Sequence, residues 1–291
     1  MTARRGILLA GGANTRLYPA TLATPKSLLP VYDKPLIYYS LSVLMLAGIR
    51  DILVITTPQT QDAHRRLFGD GKRWGMQFSY IVQDEPRGIA DAFIIGADFV
   101  DGAPSALVLA DNIYYGAGLA GQLIAASNTK AGATVFACHV PSPERFGVVE
   151  FNNAGQAISL EEKPEKPKSS YAITGCYFYD ESVCDVAANL KPSARGELEI
   201  TDLNRIYLQR NTLNVQTLGR GMAWFDTGTP DSLAAAADFV RVVQNQQNLM
   251  IACPEEVAWR NGWMDNSMLT ACTDDLKKTP YGCYLRTILS S

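Results

Sequence analysis

A glycine pair and two basic residues near the amino terminus form the first set of residues suited to chemistry. Gly11 and Gly12 directly follow the apolar run at 7–10, which is predicted to be a buried strand. Glycines allow positive φ and let a phosphate approach the backbone N–H groups closely. Arg16 can donate two hydrogen bonds to phosphate oxygens, and Lys26 adds a mobile point charge. The stretch is therefore predicted to bind phosphate at the carboxyl end of a strand.

The spacing of this stretch excludes two common phosphate-binding motifs. No Gly-Lys-Ser/Thr follows the glycines, so the loop is not a Walker A motif, and the spacing is not that of a dinucleotide fingerprint. A glycine pair after a strand also occurs in ordinary turns, and a single Arg or Lys near a turn is commonly a solvated surface charge. The presence of both Arg16 and Lys26 favours a phosphate site.

Two aspartates are candidate metal ligands. Asp111 follows the apolar run at 106–109, and Asp226 lies in the stretch WFDTGT at 224–229. If the strands at 7–10 and 106–109 are parallel neighbours, Asp111 lies at the same sheet edge as the glycine pair. Mg²⁺ commonly uses one or two carboxylates together with substrate phosphates, so it suits this set. Each aspartate by itself is also an ordinary turn former or helix cap.

Two more polar stretches are candidate binding sites. Glu162 and Lys163 close a predicted strand in the sequence LEEKP, where the glutamate suits sugar hydroxyls and the lysine suits a phosphate. A solvated hairpin end would explain the same pattern. Arg195 is predicted to be exposed, just before an acidic helix start that complements the helix dipole. Ordinary helix capping would explain that stretch equally well.

The two histidines do not suggest acid–base chemistry. His64 lies in a polar predicted helix and is expected at the surface. His139 ends an apolar strand and is expected to be a satisfied structural residue. No nucleophile elbow and no Cys/His arrangement is present. The chemistry of this chain is therefore expected to rely on cations and carboxylates.

The composition is that of an ordinary globular protein. The 291 residues are 47% hydrophobic and 19% charged, and the net charge of −3 gives no reason to expect nucleic acid as a partner. Six scattered cysteines without a C-x-x-C pair argue against zinc sites and a disulfide framework. No apolar stretch is long enough to span a bilayer or to serve as a signal peptide. A cytoplasmic protein without membrane contact is predicted.

Short apolar runs alternate with helical patterns along the first half of the chain. Strands are predicted at 7–10, 52–56, 78–82, 106–109 and 134–139, with helices between them at 38–47, 62–68, 90–98 and 119–127. This alternation indicates βαβ units and a largely parallel sheet covered on both faces.

The second half of the chain continues the pattern without a domain linker. The Pro/Lys-rich stretch at 163–169 is predicted to be a loop, because strand patterns flank it at 157–160 and 171–179. Later helices are expected at 181–190, 201–209 and 230–246, with Thr229 capping the last of them. Residues from about 251 onward are expected to form a small helical appendage.

Taken together, these stretches resemble the sugar-nucleotide pyrophosphorylases, most closely those that use dTTP and glucose 1-phosphate. The resemblance covers nearly the whole chain. The sequence GGANTRL at 11–17 is similar to the family signature G-G-x-G-T-R-L, and Lys26 lies in its S/P-K-x-L-L-P element. Further similar stretches are YDKP at 32–35, PERFGVVEF at 143–151, EEKP at 161–164, RGELEITD at 195–202, DTGT at 226–229 and ACPEE at 252–256.

The resemblance implies a fold and a reaction. The fold would be a Rossmann-like α/β domain with a mixed, mostly parallel sheet flanked by helices, spanning 1–250, followed by a helical carboxyl-terminal appendage at 251–291. Its nucleotide-binding half would be 1–112 and its sugar-binding half 113–250. A phosphate oxygen of glucose 1-phosphate would attack the α-phosphorus of dTTP and expel pyrophosphate, with Mg²⁺ as the cofactor. A homotetramer is also implied.

The resemblance also assigns roles to residues on the nucleotide side. The triphosphate would be wrapped by the glycine loop, Arg16 would hold the departing pyrophosphate, and Lys26 would stabilise the α-phosphate. Mg²⁺ would bind Asp111 and Asp226. The nucleotide-binding residues so implied are Gly11, Gly12, Ala13, Thr15 and Arg16 at the phosphates and Gln83 and Gly88 at the thymine edge.

On the sugar side, Lys163 would hold the phosphate of glucose 1-phosphate. The residues implied to line the sugar pocket are Gly147, Glu162 and Thr174, with Arg195 as a further phosphate contact. A second nucleotide site at a subunit interface would involve Tyr115, Gly116 and Glu256.

The chain departs from the family pattern at three positions near the nucleotide. Asn14 and Ala110 replace common glycines, and Asp91 stands where a glutamine is common, beside the base-binding helix. Two alternative functions remain open from the sequence. One is a uridylyltransferase that uses UTP, and the other is a homologue that binds a nucleotide-sugar without turning it over.

Overall fold

The computed structural model describes residues 3–12 and 15–290. The strands in this part of the chain are β1 (Arg5–Ala10), β2 (Pro30–Val31), β3 (Lys34–Pro35), β4 (Asp51–Thr56), β5 (Gln77–Val82), β6 (Ser105–Leu109), β7 (Asn112–Tyr115), β8 (Ala133–His139), β9 (Gly147–Phe151), β10 (Ala157–Glu162), β11 (Tyr171–Tyr179), β12 (Leu213–Thr217) and β13 (Ala223–Asp226).

The α-helices alternate with these strands in the first half and cluster after them at the end. They are α1 (Leu36–Leu46), α2 (Gln61–Phe68), α3 (Asp91–Ile95), α4 (Ala97–Val100), α5 (Leu119–Asn128), α6 (Val183–Ala188), α7 (Ile200–Gln209), α8 (Pro230–Gln247), α9 (Pro254–Arg260), α10 (Asn266–Asp275) and α11 (Pro280–Leu289).

The main sheet is mixed, as predicted. Its strand order is β10-β9-β11-β6-β1-β4-β5, and β8 pairs with β11 and β12. Strands β6, β1, β4 and β5 are parallel, whereas β11 runs antiparallel to β6, β8 and β9. Strands β1, β4 and β6 are largely buried because helices cover both of their faces, whereas β5, at the edge of the sheet, is only partly buried. The α/β fold with a helix-flanked mixed sheet is therefore confirmed.

The strand register places the candidate residues at one edge. Leu9 of β1 lies opposite Leu109 of β6, and Ala10 lies opposite Thr56 of β4. All three parallel strands thus end at the same edge, and the glycine pair and Asp111 follow directly. This confirms the prediction that the strands at 7–10 and 106–109 are parallel neighbours.

The carboxyl-terminal segment is helical, as predicted, and it shares a core with the sheet. Buried side chains of α9, α10 and α11, among them Ala258, Leu269 and Leu285, belong to the same apolar cluster as α1. Asn261 also donates a hydrogen bond to the carbonyl of Met45 at the end of α1 (3.1 Å). A boundary at 250/251 remains a prediction.

Two predicted helices differ in extent from those in the structure. The helix predicted at 90–98 is divided into α3 and α4 at Gly96, where a Cβ atom would lie 2.7 Å from the carbonyl oxygen of Ala92. The helix predicted at 181–190 is shorter, because α6 ends at Ala188. Thr229 does cap α8, and its hydroxyl accepts from the N–H of Ser232 (3.2 Å). Within 3–12 and 15–290, no helix is both long and apolar enough to cross a membrane.

Candidate active site

A cavity of about 360 Å³ opens at the carboxyl ends of β1 and β6. This is where open α/β sheets bind their ligands, and the volume is in the range of small-molecule sites. Most of the residues predicted to bind nucleotide line it: Gly11, Gly12, Thr15, Arg16, Lys26, Gln83, Gly88 and Asp111. Ala13, the remaining member of that prediction, lies outside the described residues.

The backbone of the glycine loop is set by the two strands beside it. The N–H of Ala110 donates to the carbonyl of Leu9 (3.0 Å), which extends the β1–β6 pairing up to Asp111. Gly12 has φ +108°, a conformation that L side chains rarely adopt. A glycine is therefore required where the chain turns over the end of β1.

Lys26 is buried beside Asp111. Its Nζ lies 2.6 Å from Asp111 Oδ2, and the residue is only 5% exposed. A short 3₁₀ helix at Lys26–Leu28 carries it into the cavity. Because a buried ammonium needs a compensating charge, the carboxylate and the lysine stabilise each other at the position where a phosphate would meet them.

His64 anchors the segment that carries Lys26, and the prediction that it lies at the surface is wrong. Its ring is fully buried, and its two nitrogens contact the Ser27 hydroxyl (2.9 Å) and the Thr60 carbonyl (2.8 Å). Since the carbonyl can only accept, Nδ1 donates to Thr60 and Nε2 accepts from Ser27. Burial lowers the pKa of His64. The polar sequence of α2 concealed this inward-facing residue.

His139 also differs from its prediction. It is exposed at the end of β8, and its ring stands edge-on to Tyr171 with the ring centroids 5.6 Å apart. An exposed residue needs no partner to satisfy its ring nitrogens.

The short β7–β13 pair brings the second aspartate to the first. Asp226 lies opposite Asn112 in this antiparallel pair, and Thr227 donates to the Asp111 carbonyl through its hydroxyl (2.8 Å). Burial, reinforced by the negative charge of Asp111, raises the pKa of Asp226. Lys26, Arg16 and Arg145 act in the opposite direction. The two carboxylates therefore lie in a shared, strongly charged surrounding.

Arg145 is a site residue that the sequence analysis did not single out. Its Nη2 lies 3.7 Å from Asp226 Oδ2, and its guanidinium lies over the Phe146 ring. It belongs to the stretch at 143–151 that was recognised only as a family resemblance. The available signal was an arginine two residues before Gly147, the predicted sugar-binding glycine that begins β9.

The donor chemistry of Asp111 and Asp226 fits Mg²⁺. Two carboxylates are what this ion typically takes from a protein when substrate phosphates complete its shell. Among residues 3–12 and 15–290, no group of three or more His, Cys, Asp or Glu side chains could hold a metal without such help. The residues thus suit a metal that arrives with, or is completed by, a phosphorylated ligand.

The wall of the cavity that is predicted to contact the base is closely packed. Gln83 follows β5, is 7% exposed, and its Nε2 donates to Asp91 Oδ2 (2.9 Å). Gly88 has φ +107°, and a Cβ there would lie 2.4 Å from the carbonyl oxygen of Leu198. Any larger residue at position 88 would displace Leu198 and the loop that leads into α7. The structure therefore brings Gln83 and Gly88 to one wall of the cavity.

Among the residues predicted to bind the sugar, Glu162 ends β10 and lies opposite Gly147 in β9. The hydroxyl of Thr201 donates to Glu162 Oε2 (2.5 Å), and a Cβ on Gly147 would lie 2.7 Å from that hydroxyl oxygen. Glycine is thus the residue that leaves room for this contact. Lys163, at φ +42°, lies with its Nζ 3.6 Å from Glu162 Oε1.

Arg195 and Thr174 are in different surroundings from those that their predicted roles suggest. The guanidinium of Arg195 is exposed, as predicted, but its Nη2 lies near Glu162 (3.3 Å), Glu197 (3.6 Å) and Glu199 (2.8 Å). Thr174 is fully buried within β11. Their contacts with a sugar phosphate and a sugar remain predictions.

The residues predicted for a second nucleotide site already have partners. Tyr115 donates to Gln247 Oε1 of α8 (2.6 Å), and Glu256 accepts from Tyr284 (2.6 Å) and Arg260 (2.8 Å). At Gly116, a Cβ would lie 2.7 Å from Met222 Cγ. The first contact joins β7 to α8 and the Tyr284–Glu256 contact joins α11 to α9, and a regulatory role for these residues stays a prediction.

Comparison with known proteins gives consistent results. The model of the nucleotidyl transferase family matches residues 5–242. A glucose-1-phosphate thymidylyltransferase of Neisseria meningitidis is 58% identical over 98% of this chain and 99% of its own. One of Mycolicibacterium smegmatis is 54% identical over 98% of this chain and 99% of its own.

Solved structures support the fold. A protein of Bacillus anthracis with a provisional assignment to the same activity superposes with a TM-score of 0.76 at 43% identity, over 82% of this chain and 96% of that one. A UDP-glucose pyrophosphorylase with bound UDP-glucose superposes with a TM-score of 0.72 at 22% identity, over 83% of this chain and 100% of that one, which supports the fold alone. The family model covers most of the chain, and the relatives align with nearly all of it. This chain, with its glycine loop and two aspartates at the sheet edge, therefore belongs to the nucleotidyl transferase family.

Proposed function

We propose that this protein transfers a thymidylyl group from dTTP to glucose 1-phosphate and releases pyrophosphate, making dTDP-glucose. The observation that carries the proposal is the buried Lys26–Asp111 pair, 2.6 Å apart, at the end of a glycine loop and close to Asp226. This arrangement suits a triphosphate. The relatives that align with nearly the whole chain are named glucose-1-phosphate thymidylyltransferases.

The proposed reaction needs charge neutralisation and alignment rather than proton transfer. A phosphate oxygen of glucose 1-phosphate attacks the α-phosphorus of dTTP in line. A new P–O bond forms while the bond to the oxygen that bridges the α- and β-phosphates breaks, and that oxygen leaves with pyrophosphate. In this scheme Lys26 stabilises the charge at the α-phosphate, and Arg16 holds the pyrophosphate.

The remaining side chains position the two substrates. The backbone of Gly11 and Gly12 wraps the triphosphate, and Lys163 orients the phosphate of glucose 1-phosphate. Asp111 and Asp226 would hold Mg²⁺, which neutralises phosphate charge when bound. Nothing in this scheme requires a histidine.

Pyrophosphate release from the purified protein tests the proposal. The assay compares dTTP with UTP, each with and without glucose 1-phosphate, in Mg²⁺ and again with excess EDTA. We expect release that requires both substrates, favours dTTP and stops with EDTA. Equal or better use of UTP would assign a uridylyltransferase. The comparison is needed because thymine and uracil share the edge that Gln83 is proposed to contact. No release from folded protein with any pair would indicate a homologue that binds without turnover.

Two further expectations accompany this function. A homotetramer is expected, and light scattering of the purified protein at several concentrations measures it directly. A mass near that of one 31.7 kDa chain would contradict it. A cytoplasmic location is also expected, since the proposed substrates are phosphorylated metabolites, and fractionation of the producing cells would test it.

A further inference from the structure

The buried carboxylate of Asp91 contacts Gln83, the side chain predicted to contact the nucleotide base. Asp91 begins α3 and is 1% exposed. Its Oδ2 accepts from Gln83 Nε2 (2.9 Å), and its Oδ1 lies 3.2 Å from Arg87 Nη2. Arg87 supplies a counter-charge to Oδ1 of this buried carboxylate from a side chain that is itself 57% exposed, and Oδ2 is left for Gln83. The contact with Gln83 is therefore the feature of Asp91 that calls for an explanation.

A carboxylate fixes which way an amide points. An ionised carboxylate only accepts hydrogen bonds, whereas an amide has one accepting end and one donating end. Gln83 must therefore turn its Nε2 towards Asp91 and its Oε1 away from it. The structure agrees, because a Cβ placed on Gly11 would lie 3.0 Å from Gln83 Oε1. The acceptor end of Gln83 thus points to the glycine loop, and Gln83 lines the cavity.

We propose that Asp91 is a positioning residue that holds Gln83 Oε1 as a hydrogen-bond acceptor in the cavity, so that the site selects pyrimidines with an N3–H. Thymine and uracil carry that donor, whereas N3 of cytosine is itself an acceptor and would oppose Oε1. The inference rests on the nucleotide substrate of the proposed function. It concerns the choice of dTTP over dCTP and makes no distinction between dTTP and UTP.

A neutral amide at position 91 would remove this control. In Asp91→Asn, the new amide can accept from Gln83 Nε2 or donate to Gln83 Oε1, so both orientations of Gln83 become available. With Gln83 reversed, its Nε2 would face the base and pair with the acceptor at N3 of cytosine. The variant keeps the volume of the side chain, which limits any effect on packing.

The test compares kcat and KM for dTTP and dCTP in wild type and Asp91→Asn. We expect the dTTP/dCTP ratio of kcat/KM to fall about tenfold or more, which is the usual contribution of one hydrogen bond. The change should lie in KM rather than in kcat. The control is Asp98→Asn, an exposed carboxylate in α4, which should keep the wild-type ratio. A ratio in Asp91→Asn within twofold of wild type, in protein with an unchanged melting temperature, would overturn the inference.

A double variant tests the orientation of Gln83 itself. In the variant that combines Gln83→Glu with Asp91→Asn, the asparagine amide donates to one oxygen of the glutamate. The other glutamate oxygen then faces the base as an acceptor, whichever way the glutamate side chain turns. We expect this pair to regain most of the dTTP/dCTP preference. If the preference stays at the level of the single variant, the orientation argument is wrong.

Binding measurements separate this inference from the proposed function. Calorimetric Kd values for dTTP and dCTP, without glucose 1-phosphate, report base selection independently of turnover. Suppose that wild type binds dTTP at least tenfold more tightly than dCTP, that Asp91→Asn removes this preference, and that wild type releases no pyrophosphate. That result would contradict the proposed function alone. Turnover with dTTP and an unchanged preference in Asp91→Asn would contradict this inference alone. Equal binding of dTTP and dCTP by wild type would also overturn it.

Discussion

Two regions of the candidate site hold their polar side chains in different ways: the predicted nucleotide side, which lines the cavity, and the predicted sugar side around Glu162. On the nucleotide side, Lys26 and Gln83 are 5% and 7% exposed, and each contacts one carboxylate, Asp111 and Asp91 respectively. On the sugar side, the side chains of Lys163 and Arg195 are 46% and 42% exposed, and both share Glu162. The polar groups of the nucleotide side are therefore buried, and each has its own carboxylate partner. The two cations of the sugar side are more exposed and share one glutamate.

The difference follows from the strands that carry each side. Asp111 follows β6, a buried inner strand, and Gln83 follows the edge strand β5 but packs against the buried side chain of Asp91, so neighbours leave few alternatives for each side chain. The sugar side stands at the end of the β9–β10 pair at the edge of the sheet and in the loop before α7. We therefore expect the nucleotide side to be preformed and the sugar side to rearrange when a phosphate replaces Glu162 as the partner of Lys163.

The largest expected effect is at the preformed pair. Asp111→Asn removes both a candidate Mg²⁺ carboxylate and the charge partner of buried Lys26. We expect kcat to fall about 100- to 1,000-fold, as for the loss of a preorganised electrostatic group in other enzymes. Pyrophosphate release measures it, with Asp101→Asn, an exposed aspartate after α4, as the control. A loss below tenfold would mean that this pair is not essential and that the contrast between the two sides is false.

The second effect is at the open side. Lys163→Met removes a phosphate partner but leaves the nucleotide pocket intact. We expect the KM for glucose 1-phosphate to rise about 10- to 100-fold, the weight of a charge-assisted hydrogen bond, while the KM for dTTP stays within twofold. Initial rates at varied substrate concentrations separate the two constants. Lys166→Met, an exposed lysine in the same loop, is the matched control. An equal rise in both KM values would contradict the assignment of Lys163 to the sugar side.

A moderate effect, on stability rather than activity, is expected at His64. Its pKa is lowered by burial, so the unfolded chain binds more protons than the folded one as the pH falls through the unfolded value near 6.5. The contribution of the neutral ring is therefore present above that pH and is lost below it. We expect the free energy of unfolding to decline between pH 7.5 and 5.5 in wild type and to decline less in His64→Gln.

Urea unfolding at the two pH values measures this difference. His139→Gln is the control, because the exposed ring of His139 should leave the wild-type pH dependence in place. If His64→Gln and wild type lose the same free energy between pH 7.5 and 5.5, the ring does not anchor the Lys26 segment as a neutral hydrogen-bonded group.

The smallest effect is expected at Arg195. Three glutamates surround its guanidinium, and its side chain is substantially exposed, so water and neighbours both reduce its pull on a phosphate. We expect Arg195→Gln to change the KM for glucose 1-phosphate by less than about threefold. A rise comparable to that of Lys163→Met would show that substrate draws Arg195 away from the glutamates, and the two sugar-side cations would then be equivalent.

Residues close in sequence to a strand end were predicted well. Gly11, Gly12 and Asp111 were placed at one edge because apolar runs identify buried strands and parallel neighbours end together. His64, Arg145 and the role of Asp91 were not predicted in this way. His64 lies in a polar helix, Arg145 meets Asp226 across 81 positions of sequence, and neither contact leaves a local pattern.

The sequence by itself determined the alternation of strands and helices, the glycine turn after β1 and the set of cations and carboxylates available for chemistry. These features depend on local preferences and on side-chain types, which a linear pattern records. Only the tertiary structure decided that Lys26 contacts Asp111, that Asp91 orients Gln83, and that Arg195 is shared among glutamates. Such contacts join segments brought together by sheet pairing and burial, and their geometry arises when the chain folds.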